Sequence, residues 1–204
     1  MVNKVGSQVV LASNNSGKFG ELAPVLESYG IELLPQSEVC QGAAEENGVT
    51  FVENALLKAR YVAERSGLPV IADDSGLAVD FLAGEPGVRS ARYADAHGDD
   101  RANNHKLLDA LDGVPETGRG ASFHCALVFL RSAKDPVPII ATGSWSGKIA
   151  KEPSGAGGFG YDPLFYLSDL ECTAAELAPE QKRRISHRGQ AVESLVEQIK
   201  LIAK

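Results

Sequence analysis

The sequence of 204 residues predicts an α/β fold, a mixed central β-sheet flanked by helices. Two observations carry that prediction. Short apolar runs alternate with amphipathic helical patterns in the first third of the chain, the mark of strands joined by helical crossovers. Later, two β-type runs follow one another with no helix between them, which adds an antiparallel pair to the sheet. The composition, 44% hydrophobic and 23% charged, suits a chain that buries a substantial core.

The elements follow in order. Val9-Val10-Leu11-Ala12 is a first strand. The turn cluster Ser13-Asn14-Asn15-Ser16-Gly17 opens a helix from about Lys18 to Ser28, with Leu22, Val25 and Leu26 on its apolar face and Gly30 as its stop. Ile31 to Leu34 is a second strand, and the acidic stretch Gln41 to Gly48 is a loop. Thr50 and Glu53 have capping-box spacing, and Ala55, Leu56, Ala59, Val62 and Ala63 then recur at helical intervals to about Ser66. Gly67 and Pro69 end that helix. Val70-Ile71-Ala72 is a buried strand that delivers Asp73 and Asp74 to its end, before a turn at Ser75-Gly76. Leu77 to Leu82 fits a strand or a short helix, Gly84-Glu85-Pro86-Gly87 is a turn, and Asp99 to Leu111 is a helix stopped by Gly113 and Pro115. Ala121 to Leu130 alternates, and Val137 to Ser144, weakened at its start by Pro136 and Pro138, is its antiparallel partner. Gly155 to Gly160 is a flexible loop, Thr173 to Glu176 repeats the capping-box spacing, and an amphipathic helix covers roughly Gln190 to Ala203.

Charge and composition exclude several classes. A net charge of −7 argues against a protein that grips nucleic acid over a broad surface. It leaves room for a small polyphosphate, because a local basic cluster with a metal overcomes a distant acidic background. No apolar run approaches the roughly 20 residues of a membrane helix, and Met1 to Gln8 lacks an apolar signal core. Cys40, Cys125 and Cys172 are far apart and odd in number, so they form neither a zinc pattern nor a paired disulfide framework. A reduced, cytoplasmic setting is expected.

Five constellations carry chemistry. The adjacent carboxylates Asp73 and Asp74 repel each other unless a cation or a proton sits between them. Magnesium, which takes one or two carboxylates plus substrate phosphates, is the usual solution. Glu45 and Glu46 lie in a loop from which a carboxylate could reach the same metal, while Lys58 on the following helix could counter phosphate charge or tune the acidic pair. Ser13-Asn14-Asn15-Ser16-Gly17-Lys18 joins a strand to a helix start, whose free N–H groups and dipole favour an anion. It is not a Walker loop, since Ala12 stands at the first glycine position and Phe19 follows the lysine. Phe159-Gly160-Tyr161-Asp162 offers close backbone approach and a ring to stack on a flat ligand. Lys182 to Arg188, containing His187, is the densest basic run; Arg forks to phosphate or stacks on a base, and His donates or accepts near neutral pH. Each pattern has a plain alternative: a solvated turn, an N-cap, a surface lysine, a buried aromatic, a charged helix end. Together they supply metal, phosphate and base sites, and that combination points to nucleotide chemistry.

These stretches, in order, resemble the inosine triphosphate pyrophosphatase family. The resemblance runs through Leu11 to Lys18, Glu45-Glu46, Thr50 to Ala55, Ala72 to Leu77, Pro86 to Tyr93, Gly158 to Pro163 and Ile185 to Arg188, nearly the whole chain. One departure is minor, Asn14 where the family often has Gly or His. The resemblance implies one domain over residues 1–204, built as an elongated α/β fold with a long mixed sheet and two lobes with an active-site cleft. It also implies a homodimer, a magnesium requirement, and hydrolysis of non-canonical purine nucleoside triphosphates to the monophosphate and pyrophosphate. Carried over by position, Asp74 is the general base, Ser13, Asn14, Asn15, Ser16, Gly17 and Lys18 hold phosphate, and Ser75 contacts the substrate. Phe159, Gly160, Tyr161, Asp162, Lys182, His187 and Arg188 line the nucleoside pocket. Glu45 and Asp74 are the implied metal ligands, with Glu46 and Asp73 close by. Which acid of each pair reaches the ion first is left open.

Overall fold

A computed structural model describes residues 8–95 and 98–202. The segment read for a signal core, up to residue 7, and Ala203 at the expected end of the last helix lie outside the described residues. The strands are β1 (Gln8–Ala12), β2 (Glu32–Pro35), β3 (Val70–Val79), β4 (Gly120–Leu130), β5 (Ile139–Ile149), β6 (Phe165–Leu167) and β7 (Cys172–Thr173). The helices are α1 (Ser16–Ser28), α2 (Phe51–Ser66), α3 (Asp100–Ala110), α4 (Pro179–Ile185) and α5 (His187–Ile202).

The sheet is mixed, as expected, with seven strands in the order β2-β1-β3-β4-β5-β6-β7. β1 pairs in parallel with both β2 and β3, because helical crossovers return the chain in the same direction. β5, β6 and β7 pair antiparallel. The predicted neighbours β4 and β5 do lie side by side.

Several boundaries differ from the sequence reading, each for a physical reason. Asp73 and Asp74 do not end a strand. They lie inside the ten-residue β3, which continues through Ser75 and Gly76 to Val79. β1 pairs with β3 only as far as Ala12 with Ala72, but the eleven-residue β4 flanks β3 on its other side. Sheet pairing overrides the turn composition of Asp-Ser-Gly. β5 begins at Ile139, past Pro136 and Pro138, and runs on to Ile149, burying Trp145. The basic run that had no assigned element is divided between the end of α4, which has Pro179 at its first turn, and the start of α5, which begins at His187 rather than Gln190. The Thr173–Glu176 capping box forms, but on a single 3₁₀ turn. α1 starts at Ser16, capped by the Asn15 side chain, and tolerates Pro24 within it. Pro24 lacks an N–H for the carbonyl of Gly20, which is exposed to water.

Two compact units divide the chain. One comprises the chain up to Asp74, Cys125–Gly143 and the chain from Arg188; the other comprises Ser75–His124 and Ser144–His187. In the first unit, strand alternation sorts the core into two faces. Val9, Leu11, Ile71, Cys125 and Leu127 pack with Leu22 and Leu26 of α1 and with Val192 and Leu195 of α5. Val10, Ala12, Val70, Ala72 and Val128 pack with Ala55, Ala59 and Val62 of α2. The second unit has its own core, built around Leu77, Leu107, Phe123, Trp145, Phe165 and Leu167. Among the described residues no helix is long and apolar enough to cross a membrane, and Cys40, Cys125 and Cys172 are free thiols.

Candidate active site

The two faces of the first unit explain its carboxylates. Successive strand residues point to opposite sides, so Asp73 follows Ile71 to the α1/α5 face and Asp74 follows Ala72 to the α2 face. Adjacent in sequence, they pair with different cationic side chains. Asp73, with no solvent exposure, receives Lys18 Nζ at 2.5 Å on Oδ1. Its Oδ2 receives Arg188 Nε at 2.7 Å and the Cys125 thiol at 3.4 Å. Burial pushes the Asp73 carboxyl upward, but the charges of Arg188 and Lys18 more than reverse this and hold it well below the ordinary carboxylate range. The Cys125 thiol is raised well above its ordinary value by burial and by Asp73, so it is a neutral donor there. Arg188 also pairs with Glu21 of α1, and its own value is raised by its carboxylate partners against the pull of burial.

On the opposite face Lys58 of α2 bridges two acids. Its ammonium lies 2.6 Å from Asp74 Oδ1 and 3.1 Å from Glu46 Oε2. Burial would lower the Lys58 value, but Asp74 and Glu46 raise it, so the lysine stays charged. Burial raises the Asp74 carboxyl above its ordinary value, with Lys58 only partly opposing. Burial also pushes Glu46 upward, but the charge of Lys58 and its hydrogen bond outweigh it and leave Glu46 lowered. The pair therefore contains one acid that holds a proton more readily and one that holds it less. Asp74 Oδ2 is buried and receives no donor. Glu46 is half-buried while Glu45 is exposed. The loop that carries them is tied to α2 by Asn54, whose Oδ1 accepts the Gly48 N–H at 2.9 Å. The expected capping box at Thr50 and Glu53 is present and fixes the start of α2 below Lys58.

The segment from Ser13 to Lys18 lies beyond the carboxyl end of β1, where a parallel α/β sheet presents ligands. Asn14, Asn15 and Ser16 are exposed, and Ser13 Oγ accepts the Asn15 N–H at 3.2 Å. Asn15 Oδ1 accepts the Lys18 N–H at 3.1 Å, so this side chain caps the helix, while the N–H groups of Ser16 and Gly17 have no intrahelical acceptor. Lys18 Nζ also donates to the carbonyl of Asp73 at 3.4 Å, and its side chain keeps only 13% exposure.

The remaining candidates belong to the second unit, Arg188 excepted. Phe159, half-buried, has Lys182 Nζ 5.0 Å from its ring centre. Lys182 Nζ donates to Asp162 Oδ2 at 2.6 Å, and the same oxygen accepts the Phe159 N–H at 2.8 Å. Gly158, at φ +71°, is required here: a Cβ would collide with the Asp162 carboxylate. Tyr161 is buried and donates its hydroxyl to the Ser90 carbonyl at 2.9 Å; burial raises its value. His187 is buried and stacks on Phe123, with ring centres 4.8 Å apart, next to Trp145. Ser75 is half-buried on β3. The structure thus joins Asp74, Glu46 and Lys58, joins Asp73, Lys18 and Arg188, and separately joins Phe159, Asp162 and Lys182. The sequence reading passed over Glu21, three positions after Lys18 on the same helix face. The spacing was the only available signal.

The chain matches the Ham1 family over residues 9–198. It belongs to that family. It is 53% identical over 193 residues to a dITP/XTP pyrophosphatase of Yersinia pseudotuberculosis, covering 95% of this chain and 98% of the relative. To a dITP/XTP pyrophosphatase of Escherichia coli O157:H7 it is 52% identical with the same coverage. A HAM1 protein from Coxiella burnetii has a similar solved structure, with TM-score 0.87 and 46% identity over 95% of this chain and 98% of that one. A nucleoside-triphosphatase / dITP/XTP pyrophosphatase from Mycobacterium abscessus superposes with TM-score 0.74 and 44% identity over 92% of this chain and 98% of that one. The family read from the ordered motifs and the mixed-sheet fold both hold.

Proposed function

We propose that this Ham1-family protein hydrolyses ITP, dITP and XTP to the monophosphate and pyrophosphate, removing them from the nucleotide pool before they enter DNA or RNA. The observation that carries the reading is Asp74: a buried carboxylate, raised above its ordinary value, with one oxygen on Lys58 and the other open to a proton. A general base works best with a value shifted toward the operating pH. In this reading Asp74 takes the proton of the water that attacks the α-phosphorus. Lys18 and the N–H groups at the start of α1 hold the phosphates, and Lys58 offsets charge beside the base.

The donor set fits magnesium. Glu46 and Asp74 supply hard carboxylate oxygens on one face, with Glu45 adjacent in the same loop. Asp73 does not fit, because Lys18, Arg188 and Cys125 already occupy its oxygens. Among the described residues no three His, Cys, Asp or Glu side chains converge, so the remaining positions would fall to substrate phosphates and water. When bound, magnesium would neutralise phosphate charge and polarise a phosphoryl oxygen.

Phe159, Tyr161, Asp162, Lys182 and His187 are assigned to the nucleoside, Phe159 as the stacking ring. Inosine and xanthosine carry a carbonyl at the purine six-position where adenosine carries an amine, and a site built to pair with one can reject the other by about 10⁴-fold. A single pyrophosphatase domain over residues 1–204, a homodimer and a cytoplasmic setting complete the reading. The test is pyrophosphate release from ITP, XTP, GTP and ATP, side by side, with and without magnesium. Magnesium-dependent release with ITP and XTP far above GTP and ATP is expected. Orthophosphate in place of pyrophosphate would mean attack at the γ-phosphorus and would reject the assignment.

A further inference from the structure

The loop that carries Phe159 is held from outside by α3, a helix with none of the candidate site residues. Asp99 caps α3 by accepting the Ala102 N–H, and Leu107 anchors its apolar face in the core of the second unit. Asp100 and Asn104, one turn apart on the same face, reach a single residue of the loop and hold the peptide groups on both sides of its Cα. Asp100 Oδ2 accepts the Gly160 N–H at 2.6 Å, and Asn104 Nδ2 donates to the Gly160 carbonyl at 2.8 Å. Nδ2 also donates to the Asp100 carbonyl at 2.8 Å. Both neighbours of that nitrogen are carbonyl oxygens, which fixes the orientation of the amide. Its Oδ1 is left buried without a partner, an unfavourable arrangement that an apolar residue would avoid.

Asp162 secures the preceding residue by accepting the Phe159 N–H. Two consecutive loop N–H groups are therefore fixed on carboxylates, and Gly160 sits at φ +62° between its two α3 contacts. Upstream, the Gly157 N–H donates to the Ala175 carbonyl at 3.0 Å. The loop read as flexible is pinned at both ends. The rest of the polar face of α3 also serves as a brace: Asn103 Oδ1 accepts the Ala94 N–H at 2.8 Å and Lys106 Nζ donates to the Tyr93 carbonyl at 2.6 Å.

We propose that Asp100 and Asn104 are positioning residues for the nucleobase, which set the substrate preference by clamping Gly160 through its N–H and its carbonyl and thereby fixing the Phe159 ring. The proposal rests on the nucleoside reading above. Four measurements on the full chain test it: kinetics with ITP, XTP and GTP, inhibition by inorganic tripolyphosphate, hydrogen exchange over residues 158–162, and thermal melting. D100A and N104A should raise KM for ITP about tenfold, the effect of losing one hydrogen bond to a fixed group. Their kcat should stay within about twofold, since the interaction is not made only in the transition state. The ratio of ITP to GTP turnover should fall, tripolyphosphate inhibition should be unchanged because that probe has no base, and exchange over 158–162 should quicken. D100N, which keeps an acceptor oxygen but loses the charge, should restore the wild-type pattern.

Unchanged KM and preference in D100A and N104A would overturn the proposal. Weakened tripolyphosphate inhibition in proportion to KM would overturn it too, because the effect would then be a general loss of structure. Should one alanine variant fail to fold, the other and D100N carry the same comparison. A wild-type protein that releases no pyrophosphate from ITP or XTP would defeat the proposed function; quickened exchange in D100A would then leave a purely structural clamp and would reject the role in preference.

Discussion

The two units hold their candidate residues with a different balance of forces. In the first, charge fixes charge: Lys18, Arg188, Asp73 and Glu21 interlock on one face of β3, and Lys58, Asp74 and Glu46 on the other. In the second, one buried ion pair, Lys182 with Asp162, is set among ring packing and backbone hydrogen bonds: His187 stacked on Phe123 with Phe165 tilted against it, the Tyr161 hydroxyl on Ser90, and Gly160 held between Asp100 and Asn104. The contrast suits the two proposed tasks. Handling a polyphosphate needs fixed full charges, which are strong only when desolvated and already paired. Telling flat rings apart needs a rigid surface, on which one misplaced donor decides the outcome.

The comparison can be broken at several points. The largest effect should come from Asp74→Asn, which removes the proposed base while leaving an isosteric side chain. We expect kcat to fall by about 10²–10⁴, the range for a general base, with native circular dichroism. Turnover close to wild type would reject the assignment.

Asp73→Asn should act on stability first, because it leaves buried Arg188 and Lys18 short of a countercharge. Breaking a buried pair costs about 3–5 kcal/mol, which urea unfolding would register. The folded-state value of Asp73 lies below its unfolded value of 3.8, so its stabilisation is complete above that pH and disappears as pH falls through the folded value. The acid-unfolding limb should therefore flatten in the variant. An equal slope in both proteins would mean that Asp73 is not the group being titrated.

Lys18→Ala should raise KM for the triphosphate by about 10–100-fold, matching a hydrogen bond to a charged group. An unchanged KM would count against the cradle. The smallest effect is expected in the second unit. Tyr161→Phe removes one neutral hydrogen bond and should cost about 1 kcal/mol, independent of salt. A loss as large as that of Asp73→Asn would erase the contrast between the units.

Local signals in the sequence were reliable where the physics is local. The Thr50–Glu53 and Thr173–Glu176 boxes formed because each involves residues three apart, and the apolar spacing placed α2 within a residue. The motif order identified the family before any contact was visible. Strand ends were less legible: Asp-Ser-Gly reads as a turn, and only a long neighbouring strand keeps Ser75 and Gly76 extended. The tail of β5 and the short β6 and β7 were missed for the same reason.

By itself, the sequence determined which residues carry charge and where α2 and α3 start, at Thr50 and Asp99, because those caps are local. The tertiary structure decided which cation meets which acid. Asp73 receives Arg188 from 115 positions away, and Asp74 receives Lys58 from 16 away. Such pairings depend on which helices cover which face of the sheet, and the energy that selects them comes from burying two separate apolar faces at once rather than from any short stretch of chain.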